Sequence, residues 1–251
     1  MPGPATERLE ALKQRIQKLD GSRRAAGVLP FGLEGIDDRL PGGGLALGAL
    51  HDIAGYGRGA VDGAAAALFA AGIAARTQGQ VLWCVTQPDL FAPGLAQAGL
   101  SADRLIHVEA GDEKTVLACC EEGLRHGGLG AVVGEVSYLS MIASRRLQLA
   151  AEEGKAMALI VRRWPRERDA AQFNLPTVAT TRWRVTSLPS RALPVAGIGR
   201  AQWRLELLRC KSGNPADFEV EACDGQARLA LPAALADRSA APADGRRRAA
   251  S

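Results

Sequence analysis

Five short, almost uninterrupted apolar runs divide the first two thirds of the chain: Gly48–Ile53, Val81–Val85, Leu105–Val108, Leu129–Val133 and Ala156–Val161. Each has the length of a strand, and none alternates apolar with polar. A strand that is apolar on both faces must be covered on both faces. Helical segments lie between the runs, at Ala64–Arg76, Pro93–Ala98, Glu113–His126 and Met141–Glu153. Strands alternating with helices predict an α/β fold with a mostly parallel central sheet sandwiched between helices.

After Val161 the pattern changes. Arg182–Ser187 and Gln202–Arg209 read as amphipathic, more exposed strands. Phe218–Cys223 and Ala227–Leu231 could pair around Asp224-Gly225. Antiparallel strands at the sheet edge toward the C-terminus suit this pattern. The chain divides into an N-terminal amphipathic helix with linker (1–27), a core domain (28–235) and a basic tail (236–251). The tail contains only Ala, Pro, Asp, Gly, Arg and Ser, a composition that cannot build a core.

The N-terminal helix is read over residues 6–19, where Leu9, Leu12, Ile16 and Leu19 form one narrow apolar stripe among charged residues. That stripe must dock, either on this domain or on a partner protein. Residues 21–27 (GSRRAAG) read as its tether.

The length of 251 residues suits one domain with short appendages. The longest apolar run, Ala64–Ala75, is too short to span a bilayer. The N-terminus lacks a charged-then-apolar leader, so a cytoplasmic location is expected. Cys84, Cys119, Cys120, Cys210 and Cys223 form no CxxC or Cys/His cluster, so neither disulfides nor a metal site is expected. His51, His107 and His126 are scattered outside any catalytic frame.

A glycine-rich loop, Gly55–Gly63, follows the first apolar run and precedes a helix. This is where a phosphate-binding loop of the form G-x-x-x-x-G-K-S/T would lie. Such a loop needs backbone amides for phosphate, a Lys for its charge and a hydroxyl for magnesium. Counting from Gly55, through Gly57, Arg58 and Gly59, the second glycine position holds Ala60. The Lys position holds Val61 and the hydroxyl position Asp62, before Gly63. A carboxylate there repels phosphate. Only five of the 31 basic residues are Lys, and none lies between Lys18 and Lys114, so no other register restores the motif. An ATPase of this layout also ends a central strand with a magnesium-binding Asp. Here that strand runs Ala131-Val132-Val133-Gly134-Glu135, with Gly134 in the acid's place and Glu135 one residue late. Gln87 stands where a water-activating acid would serve. No catalytic residue, metal or cofactor is expected.

Leu40-Pro41-Gly42-Gly43-Gly44-Leu45, Gly48 and the loop after the first run resemble the entry to the RecA ATPase core. Residues 81–108 are similar to its next strand, helix and strand, Ala131–Leu139 to its Walker B strand, and Arg145–Arg162 to the helix and strand beyond. With its degenerate nucleotide site, its size and its Arg/Trp-rich last third, the chain most resembles the ImuA family of RecA-like accessory proteins. The resemblance implies a part in SOS-induced translesion synthesis with ImuB, RecA and an error-prone polymerase α subunit. It implies no ATP hydrolysis, because the Lys, hydroxyl, Asp and Glu positions depart from RecA.

Between Arg162 and Arg204 lie nine arginines against Glu167 and Asp169, an excess of seven in a chain of net charge +4. Trp164, Trp183 and Trp203 lie in the same stretch. Arg with Trp suits protein hot spots and nucleic-acid backbones alike. Three readings follow for Arg162, Arg163, Trp164, Arg166, Arg168, Arg182, Trp183 and Arg184: partner contact, weak DNA contact, or a solvated face over packed indoles. The expected function is that of a non-catalytic scaffold bridging lesion-bypass proteins. The alternatives are a P-loop ATPase acting on DNA and an SOS cell-division inhibitor similar to SulA.

Overall fold

The computed structural model describes residues 27–56, 59–164, 167–190 and 197–232, without the side chains of 167–169. The N-terminal helix and the basic tail read from the sequence lie outside these residues, as do Gly57, Arg58 and Arg166.

A small antiparallel pair, β1 (Val28–Leu29) and β2 (Leu45–Ala46), stands apart from the main sheet. The eight strands of that sheet are β3 (Leu50–Gly55), β4 (Gln80–Val85), β5 (Leu105–Glu109), β6 (Leu129–Val136), β7 (Met157–Arg162), β8 (Thr181–Leu188), β9 (Gln202–Cys210) and β10 (Ala216–Glu221). Their order across the sheet is β10-β9-β8-β3-β7-β6-β4-β5. The helices are α1 (Glu34–Asp37), α2 (Ala60–Ala75), α3 (Ala92–Gln97), α4 (Glu113–His126) and α5 (Met141–Gly154).

The five apolar runs all become strands of the parallel part, with small shifts in their ends. β9 and β10 are antiparallel, as expected. β8 departs from expectation: it pairs parallel with β3 and extends the parallel block to six strands. Arg182 and Arg184 alternate along it like the polar face of an exposed strand, but Arg182 is buried. The Ala227–Leu231 segment forms no strand, only a single bridge from Ala230 to Glu221. Asp224 instead holds a tight turn, its Oδ1 accepting from the amides of Gln226 and Arg228.

Alternation along each strand sends side chains to two covered faces. One face, with Ile53, Val133, Leu159, Trp183 and Leu205, packs under α2 and its small alanines. Phe31, Phe69 and Trp183 form its aromatic centre, with ring centroids 5.7–5.9 Å apart. The other face, with Leu50, Cys84, Val132 and Ile160, packs under α4 and α5. Asp112 and Ser140 cap those helices, accepting from the amides of Thr115 and Ala143. Both helices end on a left-handed residue, Gly127 (φ 72°) and Lys155 (φ 55°). Among the described residues no helix is long and apolar enough to cross a membrane.

Candidate functional site

Parallel strands of a sheet like this open a crevice at their carboxyl ends. Here it is a cleft of ≈ 390 Å³ bounded by the end of β3, the N-terminus of α2, the β4–α3 connection, and the ends of β6 and β7.

Most of the loop's described residues have a structural task. Gly55 is the close-packing point of β3 on α2: a Cβ there would sit 2.6 Å from the Asp62 carbonyl carbon and 2.8 Å from the Gly63 nitrogen. Helix α2 starts at Ala60, four residues before the run of alanines suggests, because Gly59 takes an extended conformation (φ −60°, ψ 130°) at its N-cap. Val61, in the lysine position, is 68% exposed. The Asp62 carboxylate is committed within the chain, accepting from the Ser187 amide at 2.8 Å and so tying α2 to the end of β8. Gly63 lines the cleft, and a Cβ added there would meet nothing within 4 Å.

β6 continues three residues beyond the expected Val133, which resolves the apparent slip of Glu135. Gly134 faces α4, where a Cβ would meet the Cys120 sulfur at 2.6 Å, so no acid can stand there. Glu135 turns to the cleft side and is 3% exposed. Its carboxylate accepts from Trp83 Nε1 at 2.8 Å and from Arg163 Nη1 at 2.9 Å. The same guanidinium donates to both oxygens of Asp89 at 2.7 Å. One half-exposed arginine therefore pairs with both carboxylates of the cleft wall. The Arg163 hydrogen bonds hold Asp89 below the ordinary carboxylate range and push Arg163 above its own.

Behind the cleft, Arg162 and Arg182 flank Asp52 at 3.3 and 3.5 Å, and all three side chains are buried. Burial pushes the Asp52 carboxyl up to about 6, against the pull of the two arginines. The Arg162 guanidinium lies 5.5 Å from the Trp164 ring centre and that of Arg182 5.0 Å from Phe173. The two rings meet edge to face at 6.0 Å, closing this buried charge off from water.

These positions correct the reading of the basic segment. Arg182 and Trp183 are buried away from the cleft, and Arg162, also buried, reaches only the cleft wall. Trp183 donates to the Thr181 hydroxyl, which contacts Nδ1 of the buried His51, whose Nε2 reaches the Ala46 carbonyl. Arg184 lies 3.7 Å from Glu206 and over the Tyr56 ring at 5.7 Å. Arg200 pairs with Glu221 and Arg204 with Glu219. The excess of positive charge is thus largely cancelled by acids from elsewhere in the chain. Of the contact candidates, Arg162, Arg163 and Trp164 line the cleft. Arg166 and the side chain of Arg168 lie outside the described residues.

Sequence reading missed Asp52, Asp89, Tyr56 and Phe91. Asp52 carried a signal: a strand apolar on both faces that includes His51 and Asp52 must supply them with buried partners. Phe91, which lines the cleft, is 69% exposed, and Tyr56, next in sequence to the cleft-lining Gly55, is 58% exposed.

A magnesium nucleotide is what a RecA-type cleft would hold, and this donor set does not fit one. No lysine or hydroxyl stands on the loop's described residues between Ala60 and Gly63, and the two wall carboxylates already share Arg163. What remains is a largely apolar groove with a helix N-terminus at one side.

The crystal structure of the RadB recombinase superposes with a TM-score of 0.57 over 82% of this chain and all of that one, at 14% sequence identity. The fold is therefore that of the RecA-like core. No family model matches the chain. Protein ImuA of Caulobacter vibrioides, in strains NA1000 / CB15N and ATCC 19089 / CIP 103742 / CB 15, is 37% identical over 239 residues, 91% of this chain and 98% of the relative. The chain belongs to the ImuA family.

Proposed function

We propose that this chain is a non-catalytic accessory protein of damage-induced translesion DNA synthesis. It joins ImuB, RecA and an error-prone polymerase α subunit in the cytoplasm. Family membership supports the pathway. The observation that carries the non-catalytic reading is the Asp89–Arg163–Glu135 cluster. It places a tethered guanidinium on the acids that a metal-dependent reaction would need free. Binding replaces chemistry as the task of the cleft. It is a largely apolar groove with exposed Phe91 in its lining, the composition of a protein contact rather than of a phosphate cradle. Direct DNA contact is the weaker reading, because the described arginines from Arg162 to Arg204 pair with acids of this chain.

The test is damage-induced mutation frequency in cells whose own copy is replaced by Phe91→Glu. Phe91 is exposed, so the variant folds and accumulates normally. The loss of an interface anchor of this kind lowers the frequency by about tenfold. Parental mutagenesis at equal protein level would remove the cleft mouth as the partner surface.

A further inference from the structure

Helix α5 carries an apolar stripe on its solvent side. Ile142 is 74% exposed and Leu149 63%, one heptad apart, with Tyr138 45% exposed just before the helix. Ser144, Leu147, Ala150 and Ala151 hold the opposite face in the core, so the exposed stripe is not part of the packing already described.

The described chain begins beside this helix. Gly27 shares a cleft of ≈ 330 Å³ with Gln148 and Glu152 of α5. Residues 6–19 carry the stripe Leu9, Leu12, Ile16 and Leu19, whose Leu9–Ile16 and Leu12–Leu19 pairs are each one heptad apart, as Ile142 and Leu149 are, and have no apolar surface assigned to them. As a helix they would span about 21 Å, the length of α5 itself. The seven residues 20–26 reach up to about 25 Å, enough to lay that helix anywhere along α5. Charge selects the direction. The segment is net acidic by one at its start (Glu7, Arg8, Glu10) and basic by three at its end (Lys13, Arg15, Lys18). On α5 the order is reversed: Arg145 near the start has no ion partner among the described residues, and at the end lie exposed Glu152, which accepts from Gln148, and exposed Glu153, 3.7 Å from Arg125.

We infer that residues 6–19 dock as a helix on α5 of their own chain, running in the same direction and covering Ile142 and Leu149. The docked helix closes the apolar face of α5 and leaves the cleft mouth as the free contact surface.

The test is a double-mutant cycle in the full chain, read by urea unfolding, with Leu149→Ser and Ile16→Ser. An exposed leucine with nothing over it changes the unfolding equilibrium less than about twofold. Each single change should lower stability by about tenfold in that constant, and the pair no more than either alone. A short amine-reactive crosslinker should join Lys18 to Lys155 within one chain, as mixing labelled and unlabelled protein would show. Neutral or simply additive substitutions overturn the inference. So do coupled effects that depend on protein concentration in a sedimenting dimer, which would give the face to a second copy. A Lys18 link to Lys114 without one to Lys155 also overturns it, by placing the segment elsewhere.

Discussion

Gly55→Ala should lower stability by about 3 kcal/mol, because the new methyl would overlap backbone rather than a side chain that can move aside. The Asp62 carbonyl carbon and the Gly63 nitrogen stand 2.6 and 2.8 Å from the Cβ position, so β3 and α2 must part to admit it. For a chain of this size that amounts to a fall in Tm of about 6–12 °C. The same change at Gly63 should have the opposite sign. Its Cβ would meet nothing within 4 Å, and alanine is the better helix former, so the gain is about 0.5–1 kcal/mol. Thermal unfolding of the two variants checks both. In a phosphate cradle both glycines would serve the ligand. Here Gly55 serves packing and Gly63 serves nothing that alanine cannot. Equal losses at the two positions would contradict this assignment.

Arg163→Gln should cost about 2–3 kcal/mol at neutral pH. The larger part comes from Glu135, which is 3% exposed and would keep only Trp83 Nε1 as a strong donor. The Asp89 share is smaller, because both it and Arg163 are about half exposed to water. The sign of the pH dependence follows from Asp89. Its folded-state pKa is lowered by the Arg163 hydrogen bonds, so its contribution is present above the ordinary carboxylate pKa and is lost as pH falls through the lowered one. The stability difference between parent and variant should therefore narrow below about pH 4. Urea unfolding at neutral pH and near pH 3.5 measures it, and a gap that does not change with pH would count against the cluster.

The layer architecture was legible because it depends on local composition. Runs such as Val81–Val85 and Ala156–Val161 are apolar on both faces, and only a covered parallel sheet satisfies them. The losses at Val61, Asp62 and Gly134 were equally legible, since the motif fixes the spacing at which a cation, a hydroxyl and an acid must stand. Charge pairing was not. Arg163 meets Asp89 from 74 positions away, and the partner of Arg162 and Arg182 is Asp52, on a strand far earlier in the chain. A window over Arg162–Arg204 therefore counts an excess that the fold cancels. The parallel direction of β8 was hidden for the same reason. Arg182 looks like a solvent-facing position until Asp52 is placed beside it. The contact role proposed for the cleft rests on Phe91, a single aromatic in a loop segment that no periodicity marks.

The proposed function requires a RecA-like fold without nucleotide chemistry, one that works by contact. Steady-state ATP turnover by the purified full chain, with magnesium and with single-stranded DNA present or absent, tests this requirement. The expected result is no turnover above the protein-free background under either condition, and no change on Asp62→Ala. Sustained magnesium-dependent hydrolysis that DNA stimulates and Asp62→Ala alters would contradict it.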